Sequence, residues 1–404
     1  MQVCLICEEQ EGWGGIGTYT AVLARGLAAL GHGVHVITRS WEDEHVEEAG
    51  GVTWHYVPLP EPSWRLGTRT VSERLYQALQ MLRWGTRAYA KLSQLSGEHG
   101  IELVEAPDFH AQALRATVSR AAPPVVVKLH TPAFVVDEFN AAPVGTGIDR
   151  ALSGWLERTA LRRAALVASP SQALADRVMS RWPLARPPVI VPHPIDEQLF
   201  DARSPPTTDD VLFVGRLERV KGVETLIDAV PAILASVSSF RLTLVGDDDQ
   251  EGYEGSSMAA HLRARLADHA IPEQVVQIVG AVPRHELPRW YEQASVCVVP
   301  SAWEGFPYAA LEAMSCGRPV VASAVGGLKE LLDDGVDGLL VRPADSGALA
   351  GAIVRLLGDS DLRRVLGGRA RDKVERRYSQ PAACAAAAGV YERVLAERAS
   401  RRAT

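Results

Sequence analysis

Cysteine is scarce in this chain, and long apolar runs are missing. The 404 residues hold five cysteines, at Cys4, Cys7, Cys297, Cys316 and Cys384. So sparse and odd a set excludes a disulfide-stapled secreted scaffold and reads as reduced thiols. Cys4 and Cys7 have the spacing of a redox motif, but they lie inside the first apolar run. Residues three apart on a strand point to opposite faces, which favours a structural part for both. No window approaches the roughly 18 apolar residues of a membrane span. The apolar start, Val3 to Cys7, is short and lacks a basic leader, so no secretion signal is expected and the cytoplasm is the expected location. An excess of basic residues is also missing. The net charge is −7, which argues against a mainly nucleic-acid-binding role.

What is present is an ordinary globular composition, 47% apolar and 23% charged, in a chain too long for one core. The N-terminal part alternates short apolar runs with helical patterns. Val3–Cys7, Val34–Thr38, Val52–Val57, Leu103–Glu105, Val125–Leu129, Leu166–Ser169 and Val189–Val191 read as strands. Between the first two, Ile16, Tyr19, Leu23, Leu27 and Leu30 share one helical face. Residues 191–210 are rich in Pro and Asp and lack periodicity, which marks a linker. Alternation then resumes at Val211–Val214, Leu242–Val245, Val276–Val279, Val296–Val299 and Val320–Ser323. The expected fold is α/β, with two doubly wound, mostly parallel domains facing across a cleft. Their expected spans are 1–192 and 193–376, with a tail helix over 377–404 packing back on the first domain.

Ligands of open α/β sheets bind beyond the carboxyl ends of the strands. The stretch SAWEGFPYAALEAMSCG, residues 301–317, follows one such end. Pro307 suits the first helical position, and Gly317 suits a C-cap. Glu304 then sits in the loop, beside the backbone N–H groups of Gly305, Phe306 and Tyr308 at a helix start that could hold a phosphate. Glu312 lies roughly 7–8 Å further along the helix, about the span from a diphosphate to a ribose or sugar ring. Either glutamate alone also reads as an ordinary helix former. At the start of the second domain, Gly215-Arg216 and Lys221-Gly222 place two cations after a buried strand, and both suit phosphate oxygens. In the first domain, Gly14-Gly15-x-Gly17 lies between strand and helix. A dinucleotide-binding loop is an alternative there, but the spacing is not G-x-G-x-x-G and the next strand ends without an acidic residue. His130 follows another strand, where a lone histidine is more often structural than functional.

Together these residues resemble the retaining glycosyltransferases of family 4, which have the GT-B fold. Glu304 and Glu312 match the E-x7-E signature. The G-R-L…K-G run at 215–222, the G-G-x-G at 14–17, His130-Thr131, Pro194-Ile195-Asp196…Phe200 and Gly326-Gly327…Glu330 fit as well. The resemblance covers essentially the whole chain. It implies a nucleoside-diphosphate-sugar donor, UDP- or GDP-linked, and an acceptor hydroxyl. Arg216 and Lys221 would hold the diphosphate, Glu304 would contact the donor sugar, and Glu312 the ribose hydroxyls. Backbone groups at Gly305, Phe306, Pro307 and Tyr308 would complete these contacts. Val282 and its neighbours would read the base, the Gly14–Gly17 loop would close over the diphosphate, and His130 would touch the sugar near the reacting carbon. Catalysis would therefore rest on Glu304, His130, Arg216 and Lys221. Two departures from the family pattern stand out, Pro192-His193-Pro194 and Asp247-Asp248-Asp249.

The acidic run invites an Asp-x-Asp metal reading, but Arg216 and Lys221 already fill that electrostatic place. No metal and no cofactor are expected. Trp13, Asp108, Phe109 and His110 lie in loops after first-domain strands and are the candidate acceptor contacts. Residues 65–91 form a basic amphipathic stretch that could rest on the inner face of an anionic membrane, or be an ordinary surface helix. The acceptor class, lipid, saccharide or small molecule, and the oligomeric state stay open. The competing functions are a GT-B-type nucleotide-sugar epimerase and a non-catalytic nucleotide-sugar-binding protein.

Overall fold

A computed structural model describes residues 1–12, 14–59, 75–139, 147–201, 208–248 and 256–403. The chain divides into two compact units. One comprises Met1–Glu138, Ala142–Pro194 and Gln380–Thr404, and the other Phe139–Ala141 with Ile195–Ser379.

The first unit holds β1 (Gln2–Cys7), β2 (Gly33–Ser40), β3 (His45–Ala49), β4 (Val52–Pro58), β5 (Leu103–Pro107), β6 (Val125–Lys128), β7 (Leu166–Ser169) and β8 (Val189–Ile190). Their order in the sheet is β3-β4-β2-β1-β5-β6-β7-β8. All pairs are parallel except β3 with β4. The parallel strands are mostly apolar because helices cover both faces. β3 escapes a sequence reading for the opposite reason. Its residues His45–Glu48 are all exposed, and it exists because Gly50 and Gly51, both at positive φ, form a tight hairpin turn.

The helix Gly15–Ala29 buries Tyr19, Val22, Leu23 and Leu27 against this sheet. Leu30, expected on the same face, lies past the helix end and is 43% exposed. The chain turns away at Gly31, which has φ of 84°. The tail helix Gln380–Ala403 belongs to this unit. It crosses the first helix at Gly26, where a Cβ would stand 2.3 Å from Cys384 Sγ. Only a glycine permits that approach. All five cysteines are free and buried, and burial pushes Cys7 up to about 12.

The second unit is a parallel sheet of β9 (Asp210–Val214), β10 (Arg241–Val245), β11 (Val276–Gly280), β12 (Val296–Val299), β13 (Val320–Ser323) and β14 (Leu339–Val341), in the order β11-β10-β9-β12-β13-β14. Among the parallel strands of each sheet there is one point where chain order reverses, between β1 and β5 in the first unit and between β9 and β12 in the second. Open α/β sheets bind ligands at the carboxyl side of such points.

A buried polar network ties the tail to the centre of the first sheet. Glu105, on β5, is 4% exposed and accepts hydrogen bonds from Tyr19 Oη (2.8 Å) and Tyr391 Oη (2.7 Å). Lys128, on β6, is fully buried and donates to the Val191 carbonyl. Burial pushes Glu105 up and Lys128 down to about 7, each opposed by the other's charge. A carboxylate this deep must keep its donors. Tyr391→Phe is therefore expected to lower stability by about 1–3 kcal/mol. Urea unfolding would read this as a lower midpoint at unchanged slope, and an unchanged midpoint would remove the network from the account.

Candidate functional site

In the second unit four loops converge at the carboxyl ends of neighbouring strands. β9 leads into 215–222 and β12 into 300–307. The two strands are paired, so their loops meet. Ala302 N–H donates to the Val220 carbonyl at 2.8 Å. Gly222 sits at φ of 70°, and a Cβ there would stand 1.9 Å from the Pro300 carbonyl oxygen. Any other residue would push the two loops apart. β13 contributes the third loop, whose Gly327 N–H donates to the Glu304 carbonyl at 2.9 Å.

This packing fixes Glu304, which is 8% exposed. Its Oε1 accepts from Lys221 Nζ and from Ser301 Oγ, each at 2.8 Å. Both bonds fall on one oxygen, so the second is not consumed by them. Arg216 is different. Its side chain is exposed, and its guanidinium pairs with Glu218 at 2.5 Å. A long exposed cation of this kind can exchange a surface carboxylate for a ligand anion at little cost.

Glu312 lies in the helix Tyr308–Ser315 and is 4% exposed. Tyr291 Oη donates to its Oε2 at 2.9 Å, and Arg284 Nη2 lies 3.3 Å from its Oε1. Arg284 arrives on the fourth loop, after β11, beside Val282, which packs against the core. Burial pushes the Glu312 carboxyl up, against the pull of Arg284 and the Tyr291 hydrogen bond. Pro307 does not take the first helical position. It is the N-cap, at φ −80° and ψ 125°, and its carbonyl accepts from Leu311 N–H. Gly305, Phe306 and Tyr308 flank it at the helix start, with Phe306 buried. In the acidic run, Asp248 Oδ1 accepts the Ala259 N–H at 2.8 Å. That carboxylate supports the first turn of the helix Met258–Asp268. Among the described residues no cluster of three metal-ligating side chains occurs.

In the first unit the glycine loop has mixed uses. A Cβ on Gly17 would stand 2.2 Å from the Gln10 carbonyl oxygen, and one on Gly14 would stand 2.6 Å from Glu9 Oε2. Glu9 also accepts the Gly17 N–H at 3.2 Å. Those two glycines serve close packing within the loop, whereas Gly15 has open space before it. His130 follows β6. Its ring lies edge-on to Tyr19 at 4.7 Å and 4.9 Å from His193. Burial, with the Lys128 charge, pushes His130 down to about 3, so its imidazole is neutral. Its buried Nε2 has no hydrogen-bond partner among the described residues, and it borders a small cavity shared with Tyr19, Thr20 and Glu105. His193, which the sequence reading set aside as part of a departure, is 4% exposed and belongs to this ring cluster.

Of the candidate acceptor residues, Trp13 lies outside the described residues. Asp108 is 1% exposed. Its Oδ1 accepts the His130 N–H at 2.8 Å. Phe109 and His110 are half-buried, with their rings stacked at 3.9 Å. The sequence reading missed Glu157, a fully buried carboxylate that accepts the His110 N–H (3.1 Å) and the Ala133 N–H (3.2 Å). Ser301, Tyr291 and Arg284 were missed too. Ser301, three residues before Glu304, was the most readable of them. Of the basic stretch, residues 65–74 lie outside the described residues, while Arg83, Arg87 and Lys91 lie on the helix Tyr76–His99, where Lys91 pairs with Glu44 at 2.6 Å.

Two parallel doubly wound units, the second with Glu304, Lys221 and Glu312 at its carboxyl edge, define a GT-B glycosyltransferase. A family model described as Glycosyltransferase Family 4 matches residues 13–199, and one described as Glycosyl transferases group 1 matches residues 208–359. The D-inositol 3-phosphate glycosyltransferase of Acidothermus cellulolyticus is 32% identical over 424 residues, covering 95% of this chain and 87% of that protein. Sucrose-phosphate synthase from Thermosynechococcus elongatus matches with a TM-score of 0.78 at 25% identity, covering 98% of this chain and all of that one (100%). Anabaena Alr3699/HepE in complex with UDP-glucose matches at 0.70 and 21% identity, covering 99% and 100%, a likeness of fold alone. The chain belongs to glycosyltransferase family 4. No helix among the described residues is long and apolar enough to cross a membrane.

Asp108 and Glu157 make a pH prediction. Burial pushes Asp108 up to about 7, and burial with the Asp108 charge pushes Glu157 up to about 8. A raised acid stabilises the fold below its unfolded value, and this is lost as pH rises through the folded value. Between about pH 5 and pH 8, wild type should therefore lose melting temperature relative to Glu157→Gln, whatever the baseline of the variant. Parallel Tm–pH curves for the two proteins would contradict the assignment.

Proposed function

We propose that this enzyme transfers a sugar from a nucleoside-diphosphate sugar to an acceptor hydroxyl, with retention at the anomeric carbon and without a metal ion. The observation that carries this reading is the Lys221–Glu304–Ser301 cluster at the switch point of the second sheet. Lys221 and Arg216 hold the diphosphate, and the amides at Gly305–Tyr308 add to its charge stabilisation. Glu304 binds sugar hydroxyls, and Glu312, oriented by Tyr291 and Arg284, receives the ribose. In the first unit, Gly15 leaves open space for close approach of a ligand, and neutral His130 offers a hydrogen-bonding group.

The reaction breaks the bond between the anomeric carbon and the phosphate oxygen while the acceptor oxygen joins the same face. The departing phosphate takes the acceptor proton, so no enzyme nucleophile is required. Catalysis rests on orientation and on charge stabilisation of the leaving diphosphate. UDP or GDP is the favoured donor nucleotide. The relative named for D-inositol 3-phosphate supports a polyhydroxylated acceptor.

Lys221→Ala should lower turnover about 10²–10³-fold, the usual cost of one preorganised charge-stabilising group. In metal-free calorimetry with UDP, GDP, ADP and dTDP, one diphosphate should bind wild type and bind the variant more weakly. A folded Arg216→Ala/Lys221→Ala double variant with normal turnover would rule the assignment out. Binding or activity that appears only with magnesium or manganese would overturn metal independence.

A further inference from the structure

At the switch point of the first sheet, β1, β2 and β5 end side by side. Glu8 follows β1, Arg39 and Trp41 come from the end of β2, and His110 follows β5. Their side chains form one chain of contacts. The Arg39 guanidinium lies 3.9 Å over the Trp41 ring and bonds Glu8 Oε1 at 3.0 Å. Glu8 Oε2 stands 3.6 Å from His110 Nδ1. Burial opposes ionisation of Glu8, but His110 and Arg39 outweigh it and hold its carboxyl below the usual range. Trp41 is 58% exposed, so an indole backed by a guanidinium faces outward.

His110 and Ala111 have φ of 61° and 46°, two successive non-glycine residues in the left-handed region. Such a conformation persists where its surroundings over-determine it, and it concentrates at functional sites. Here the Glu157 carboxylate grips the His110 N–H, and Phe109 stacks on the ring. The strained turn aims His110 at Glu8.

The charge at this edge is acidic. Glu8, Glu9 and Glu11 follow one another out of β1. Glu8 is paired with Arg39 and Glu11 with Arg25, while Glu9 holds the Gly17 N–H. Three carboxylates thus face two arginines at this edge, so a phosphorylated ligand would meet an excess of glutamates.

We propose that Trp41, Glu8 and His110 form the acceptor subsite and that the acceptor is an uncharged saccharide rather than a phosphorylated polyol. This rests on the glycosyltransferase reading and adds the acceptor class. The C–H face of a pyranose fits an exposed indole. An ionised carboxylate fits a pair of adjacent hydroxyl donors, and the histidine is a further polar contact that orients the ring.

Saturation-transfer NMR on the full chain with UDP present tests it, using methyl glycosides of glucose, galactose, mannose and N-acetylglucosamine against glucose 6-phosphate and inositol phosphate. At least one neutral glycoside should bind. Trp41→Ala and Glu8→Gln should each weaken it about tenfold, the loss of one good contact, with UDP affinity unmoved. Trp41 is exposed, so its variant keeps the fold. Three results overturn the proposal: no neutral glycoside binds a protein that does bind UDP, the phosphorylated compounds bind better, or Trp41→Ala leaves glycoside affinity unchanged. Failure of UDP to bind, with glycoside binding that Trp41→Ala weakens, would strike the donor reading and leave this subsite standing.

Discussion

The site in the second unit depends on two close backbone approaches, at Gly222 and at Gly326. A Cβ at Gly222 would strike the Pro300 carbonyl, and one at Gly326 would stand 2.1 Å from the Glu304 carbonyl oxygen. The loop carrying Glu304 is thus clamped from both sides, by the segment after β9 and by the segment after β13. Nothing in the Glu304 side chain could substitute for this. Hydrogen bonds from Lys221 and Ser301 orient a carboxylate whose Cα the glycines have already placed. The strand order makes the clamp reachable, because β9, β12 and β13 lie side by side.

That dependence explains what was legible beforehand. Parallel strands buried on both faces leave continuous apolar runs, so Val3–Cys7 or Val296–Val299 could be found without structural knowledge. β3, exposed and polar, could not, and neither could the three-residue β14. The glycines and charges of the second unit stood out because their loops carry both at fixed distances from strands. Their partners did not. Arg284 and Tyr291 are more than twenty residues from Glu312 in sequence, and only the fold brings them to it. Pro307 shows a subtler limit. Proline suits either the cap or the first turn, and the backbone of the loop before it decides.

Asp108 and Glu157 show why composition misleads at buried positions. Asp108, in a loop after a strand, invites a ligand, and Glu157, inside the helix Gly147–Arg163, draws no notice, yet both accept backbone N–H groups of 108–133. Removing either would leave buried donors unanswered, which costs more than the carboxylate's own desolvation returns. Surface glutamates at the same edge, Glu8 above all, are the ones with oxygens near the ends of β1 and β2.

At the edge of each sheet cations meet carboxylates, Lys221 with Glu304 and Arg216 with Glu218 in the second unit, Arg39 with Glu8 and Arg25 with Glu11 in the first. Under the proposed transfer, Lys221 and Arg216 would stand where a diphosphate departs with growing negative charge. On the proposed acceptor reading, Glu8, Glu9 and Glu11 at the first edge, with each of Arg39 and Arg25 held by one of them, would disfavour a stray phosphate while keeping hydrogen-bond acceptors for hydroxyls. Buried groups behind that edge hold the loops still, with Glu157 under His110 and Asp108 under His130. On this account the costly buried carboxylates and the surface glutamates serve one end. The first set fixes where the loops stand, and the second determines what kind of molecule they receive.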